Sequence, residues 1–193
     1  MEKNVIQTIW AIDPIHSQIR FEARYLLSHV SGWFPDFEGT VISSGEGFDQ
    51  SELRVAIYTN SVYTGNNERD RHLRSADFFD AINYPVIGFH STGVNQAEGD
   101  LLKITGLLDI KGIQVKQEME TRYLGVQPDQ LGNIKAGFSL DALFNRKDFG
   151  ISWNQLLDKG GTLLSDEIRV HADVQLLRLT SPPASPGFVQ QNQ

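Results

Sequence analysis

From Ile19 the chain reads I-R-F-E-A-R-Y, which puts Ile19, Phe21, Ala23 and Tyr25 on one face and Arg20, Glu22 and Arg24 on the other. A period of two is what a strand shows when one face meets a core and the other meets water. The same alternation recurs over residues 37–43, 53–59, 87–91, 101–110, 113–123, 134–142 and 168–176. Between these runs lie Gly45-Glu46-Gly47, Glu98-Gly99-Asp100, Lys111-Gly112 and Leu131-Gly132-Asn133, residues that supply the tight or positive-φ geometry of hairpin turns. About eight strands with short connections predict an antiparallel sheet that closes or sandwiches, since an open sheet of that width leaves its edges unpaired.

Two stretches break the period. Thr64-Gly65-Asn66-Asn67-Glu68 opens a short helix, with Asn66 or Asn67 as the cap, Glu68 and Asp70 near the positive end of the dipole, and Arg74 at its close. Ser75 is read as the cap of a further turn over residues 77–80. Residues 145–161, N-R-K-D-F-G-I-S-W-N-Q-L-L-D-K-G-G, are read as a loop with a helical turn within 149–157. The segment 180–193 holds three of the seven prolines and little that packs, so residues 1–179 are expected to form one domain and 180–193 a flexible tail.

Composition narrows the function classes. Of 193 residues, 24 are acidic and 17 basic, for a net charge of -7, and no Lys/Arg block offsets it, which argues against a nucleic-acid partner. The chain has no cysteine, which excludes disulfides, thiolate nucleophiles and Cys-ligated metals. No basic stretch leads into a long apolar run near Met1, so a cytoplasmic location and no transmembrane segment are the expectations. No nucleophile elbow, zinc-protease pair or phosphate loop is present, and the histidines at 16, 29, 72, 90 and 171 are scattered. The expectation is a binding protein with no catalytic residue, no metal and no required cofactor.

The runs W-A-I-D-P-I-H-S-Q-I-R-F (from Trp10), G-W-F-P-D-F-E-G (from Gly32), T-G-N-N-E-R-D-R-H-L-R-S-A-D-F-F-D (from Thr64), Y-P-V-I-G-F-H-S-T (from Tyr84) and N-R-K-D-F-G (from Asn145) keep an order and spacing that resembles the YceI-like family along nearly the whole chain. That resemblance implies an all-β fold, an extended eight-stranded antiparallel lipocalin-like β-barrel with short helical segments. It also implies a long central cavity for a polyisoprenoid, such as an isoprenoid quinone or prenyl diphosphate, for storage, transport or sequestration. Family members often form dimers, so a homodimer is a further implication. A lipid ligand would be taken from the inner membrane face, by transient membrane contact, or from a soluble carrier. Two departures stand out. Tyr25 replaces a usual His, which bears on the ligand's polar end, and the hairpin from Gly106 reads G-L-L-D-I-K-G-I-Q.

Periodicity alone leaves open whether Phe21, Ile57, Phe89 and Phe138 fill a core or line a cavity, because eight strands enclose room for either side chains or one slender ligand; the resemblance favours the cavity. Ala23, Gly88, Gly106, Ala136 and Gly137 either leave space or mark bends, with bends favoured for the glycines. Arg69 to Arg74 form either a head-group grip or a structural cap in which Asp70 pairs with Arg74 or Arg146. Leu73, Phe78 and Phe79 are read as closing a barrel end. Arg146 is open to both roles, and Phe149 and Trp153 are lid aromatics or plugs. The expected ligand-binding set is therefore Phe21, Ala23, Tyr25, Ile57, Arg69, His72, Leu73, Phe78, Phe79, Phe89, Phe138, Arg146, Phe149 and Trp153. The rival readings are an enzyme acting on the isoprenoid or quinone, hinted at by Arg69 to His72, and a ligand-free structural barrel.

Overall fold

Ten strands hydrogen-bond into one antiparallel sheet in the computed structural model, which describes residues 7–44, 47–156 and 162–179. They are β1 (Gln7–Ile12), β2 (Gln18–Tyr25), β3 (Ser28–Trp33), β4 (Phe37–Ser44), β5 (Glu52–Tyr58), β6 (Val86–Gln96), β7 (Leu101–Ile110), β8 (Ile113–Pro128), β9 (Ile134–Asn145) and β10 (Leu164–Arg178). β1 and β2 both run antiparallel to β10, at Trp10↔Arg178 to Ile12↔Leu176 and at Gln18↔Asp173 to Tyr25↔Leu164. They are one stave broken by a 3-10 turn over Pro14–His16. β3 and β4 form the neighbouring stave, paired to β2 and β1 respectively. The ten strands are thus eight staves, and the β1–β10 pairing closes them into a barrel.

The strands that periodicity misses have a plain cause. β1 reads Q-T-I-W-A-I, an unbroken apolar run after Thr8, and β3 reads S-H-V-S-G-W, whose inward positions include Gly32. Of the strands that outrun their expected ends, β6 and β8 do so because bulges reset the phase. A register shift between Ser91 and Gly93 moves the next buried position in β6 to Val94, and one between Tyr123 and Gly125 brings the half-buried Val126 against the core in β8. A strict alternation stops at Ser91 and Tyr123, whereas the strands continue.

Helix α1 (Asn67–Arg74) begins where the sequence places it, with the Asn66 side chain accepting from the amides of Glu68 and Arg69. Ser75 acts otherwise than expected: its hydroxyl donates to the His72 carbonyl, so it closes α1, and residues 76–79 and 81–83 follow as turns. The helical turn expected within 149–157 is also displaced. A 3-10 turn occupies Arg146–Phe149, started by the Asn145 side chain and ended by Gly150, and 150–155 have no helix. Leu157 lies outside the described residues, as do Gly45, Glu46 and the tail 180–193.

The interior divides into two clusters. At one end Trp10, Phe37, Val41, Leu102, Ala136 and Leu176 surround Phe48, which enters from the connection after β4 and stacks 5.2 Å from Trp10 and 4.9 Å from Phe138. Toward the other end lie Phe34, Val62, Ile87, Leu108 and Phe149. Gly106 marks a close approach here and not a bend: a Cβ there would stand 2.4 Å from the Phe89 ring, which lies over it.

The break between β1 and β2 needs its own fastening. The Asp13 carboxylate caps the 3-10 turn through the Ile15 amide and accepts from Lys135 Nζ and His16 Nδ1, each at 2.8 Å. Burial acts to raise the Asp13 pKa, but the bonds from Lys135 and His16 outweigh it and hold the carboxyl at about 2, against an ordinary 3.8. The folded state therefore favours the ionised form. Its contribution is fully present above pH ~4 and disappears as pH falls through about 2, and is on the order of 2 kcal/mol. Asp13→Asn should lower stability by about that amount at neutral pH in urea titrations, with the gap to the parent protein narrowing steadily on acidification.

Candidate functional site

The end of the barrel opposite Phe48 is not filled. Inward side chains of β2 (Ile19, Phe21, Ala23, Tyr25) and β10 (Leu164, Ile168, Val170), with Ile57, Ile87, Leu108 and Phe144, wall a cavity of about 660 Å³. Over it lie Leu73 of α1, Phe78 and Phe79 from the turns after it, and Phe149, Ile151 and Trp153 from the segment after β9. The wall is apolar because these positions share the inward phase of strands whose outward residues are charged. The roof is apolar because α1 turns Leu73 inward and leaves Glu68 and Arg69 to the rim.

The roof is held by cations bonded to backbone. The Asp70 carboxylate, 3% exposed, accepts from the Thr64 amide and hydroxyl. Arg69 donates to the Thr64 hydroxyl at 2.7 Å and carbonyl at 2.8 Å. Arg74 donates to the carbonyls of Asn60 and Val62 at 2.8 and 2.9 Å. Arg146, 5% exposed, donates to the carbonyls of Ser165, Ile151 and Trp153 and to the Asp166 carboxylate. Burial pulls the Arg146 pKa down from its ordinary value, opposed by Asp166. A guanidinium with several acceptors in its own plane fixes a loop better than any ammonium. The expected pairs of Asp70 with Arg74 and with Arg146 are not formed: Asp70 turns to Thr64, and both arginines are taken by carbonyls.

His72 completes the lid. Its Nε2 is 2.9 Å from Asp77, and its ring meets Phe78 at 4.9 Å and Trp153 at 4.7 Å, both edge-on. This cluster joins α1, the turn after it and the Arg146 loop across the mouth. Among the described residues, the Tyr25 hydroxyl, the Trp153 indole N–H and the Glu68 carboxylate make no hydrogen bond.

Every residue of the expected set except Phe89 and Phe138 borders this cavity. Phe138 faces inward but sits six residues from Phe144 toward the plugged end, against Phe48 and Tyr123. Phe89 packs over Gly106. The two are corrected from cavity wall to core, and the cavity occupies one half of the barrel, not its length. Residues absent from the expected set include Val30, Phe34, Phe144, Ile151 and Val170. Phe144 and Val170 share the inward phase of their strands and were legible on that ground. Val30 belongs to a strand without a readable pattern, and Phe34 and Ile151 to irregular segments.

A model of the YceI-like domain matches residues 10–176, the whole barrel from β1 to β10. The chain belongs to the YceI-like family. It is 37% identical over 138 residues to protein YceI of Salmonella arizonae, spanning 71% of this chain and 72% of that one. BcnA of Burkholderia cenocepacia superposes with a TM-score of 0.74 at 20% identity, over 85% of this chain and 98% of that one. A polyisoprenoid binding domain from Saccharophagus degradans superposes with a TM-score of 0.64 at 15% identity, over 91% and 100%. Both structural likenesses speak for the fold. Within this YceI-like barrel, the run from Thr64 is the Thr64–Asp70–Arg69 node with α1, and N-R-K-D-F-G is the Arg146 clamp.

The two halves should respond differently to truncation. Phe138→Ala is expected to cost about 3 kcal/mol or more in denaturant melts, as for a filled core, without changing what the cavity takes up. Phe79→Ala, at the cavity roof, should cost less and enlarge the cavity. Arg146→Met should destabilise by roughly 3 kcal/mol because it strands buried carbonyls, and Arg146→Lys should not restore the loss.

Proposed function

We propose that this protein sequesters or carries an isoprenoid lipid with an uncharged head group, an isoprenoid quinone being the fitting example, and performs no chemistry on it. The observation that carries this reading is an apolar cavity whose bordering cations are already engaged. Arg20 pairs with Asp173 at 3.3 Å, Arg69 is bound to Thr64, and Arg146 is saturated by carbonyls and Asp166. A diphosphate would need a free cation at the rim and would face the Glu68 carboxylate instead. The Tyr25 hydroxyl and Trp153 N–H, donors without a partner among the described residues, suit a carbonyl or hydroxyl oxygen.

Apolar burial supplies the affinity at about 25 cal/mol per Å² before ordering costs, and a cavity of this size falls in the ~300–1,000 Å³ range of small-ligand sites. The Saccharophagus degradans domain of the same fold, described as polyisoprenoid binding, agrees with the ligand class. Against the enzyme reading stands His72, whose Nε2 is tied to Asp77 and whose ring is wedged between aromatics.

The test is competition between a quinone and a prenyl diphosphate of equal chain length, followed by native mass spectrometry or tryptophan fluorescence. The quinone should bind at least about tenfold more tightly, a difference of roughly 1.4 kcal/mol. Leu73→Arg, which buries a charge in the roof, should abolish quinone binding. A diphosphate that binds equally well or better would defeat the assignment of an uncharged head group.

A further inference from the structure

We infer that the rim beside the cavity mouth is a membrane-insertion surface, by which the protein docks on a lipid bilayer to exchange its ligand. The β2–β3 hairpin turns through Leu26 and Leu27, and Leu27 is 96% exposed. Leu156, 81% exposed, lies alongside: the Leu26 amide donates to the Leu163 carbonyl, and the Leu163 amide donates to Gln155. The two loop segments are therefore neighbours across adjoining strands, about 10 Å apart at strand spacing. Tyr25 and Ser28, which immediately flank Leu26 and Leu27, border the cavity, as does Leu164, the strand partner of Tyr25. The apolar tip is thus continuous with the opening.

The backbone at this tip is also one that leucine does not favour. Leu26 has φ +55°, at the first position of a two-residue hairpin turn, where the chain ordinarily takes glycine. In the comparable hairpin between β7 and β8, the positive-φ positions hold Lys111 and Gly112. A strained Leu26 followed by a fully exposed Leu27 marks a local sequence choice that folding does not explain.

A bilayer fits this surface better than a protein does. A stable pairwise interface needs about 800 Å² on each partner, which three leucines at a convex tip do not provide, whereas a hydrocarbon phase accepts any projecting apolar group. The net charge of -7 opposes attraction to anionic lipids, so docking should depend on leucine insertion, tolerate high salt and proceed on uncharged bilayers. The inference rests on the lipid-binding reading for its purpose, though the exposure of the rim does not.

The experiment is flotation of the full chain with phosphatidylcholine vesicles, comparing it with the Leu27→Ser/Leu156→Ser double variant, whose exposed positions contribute nothing to the core. The parent protein should float with the vesicles, with or without high salt. The variant's partitioning should fall about tenfold or more, since each leucine withdrawn from apolar surroundings is worth roughly a decade or more in affinity. Binding of a water-soluble short-chain quinone should be equal in the two, while extraction of quinone from vesicles should slow in the variant. The inference is overturned if the parent protein stays with the unbound fraction, if the variant floats equally well, or if the substitutions instead convert a dimer to a monomer in sedimentation. Should the soluble quinone bind neither protein while flotation behaves as expected, the ligand assignment falls and the docking surface stands.

Discussion

β1 meets β10 from Trp10↔Arg178 to Ile12↔Leu176, and once the sheet is closed there its interior volume is set by eight staves. That volume is just enough for side chains to fill it or for one slender guest to share it. This chain does both, end to end. Phe48 drops between Trp10, Tyr123 and Phe138 and makes one half a core, while the other half is left to a cavity roofed by α1 and the segment after β9. The filled half and the room for a ligand are therefore held apart along one axis, and the core residues Phe34, Ile87, Leu108 and Phe149 border the cavity from its own end.

The roof follows from the same separation. The lid packs Phe78, Phe149 and Ile151 inward, and polar groups fix the segments that carry them. Asp70 and Arg69 close on Thr64, Arg74 takes the carbonyls of Asn60 and Val62, and Arg146 gathers the loop that carries Phe149, Ile151 and Trp153. Among the described residues, the arginines that border the cavity are thereby already engaged and not left to an anion. The structural role of the basic cluster is thus what the proposed preference for an uncharged head group rests on.

Much of the fold was legible in the sequence, and the exceptions have physical causes. Alternation located eight of the strands because each has one face in the core and one in water. It failed for β1, whose run I-W-A-I is apolar on both faces, for β3, whose inward side includes glycine, and beyond the bulges at Ser91 and Tyr123, where the phase slips by one residue. The site was less legible. Phase tells which side of a sheet a residue faces but not how far along the barrel it lies, so Phe138 and Phe144, equivalent in pattern, belong to different halves. Nor does a cluster such as Arg69 to Arg74 reveal whether its partners are carbonyls of a neighbouring segment or a ligand, because those carbonyls belong to residues that have no pattern of their own.

What most directly tests the account is the content of the cavity in the protein taken from its own host. Native mass spectrometry of the untreated protein, followed by organic extraction and identification of the released molecule, reads that content without a choice of probe. One uncharged isoprenoid per chain is expected, displaced by solvent extraction and absent when a charge is built into the roof. A bare chain mass with no extractable lipid, or a co-purifying molecule with a phosphorylated head group, would contradict it.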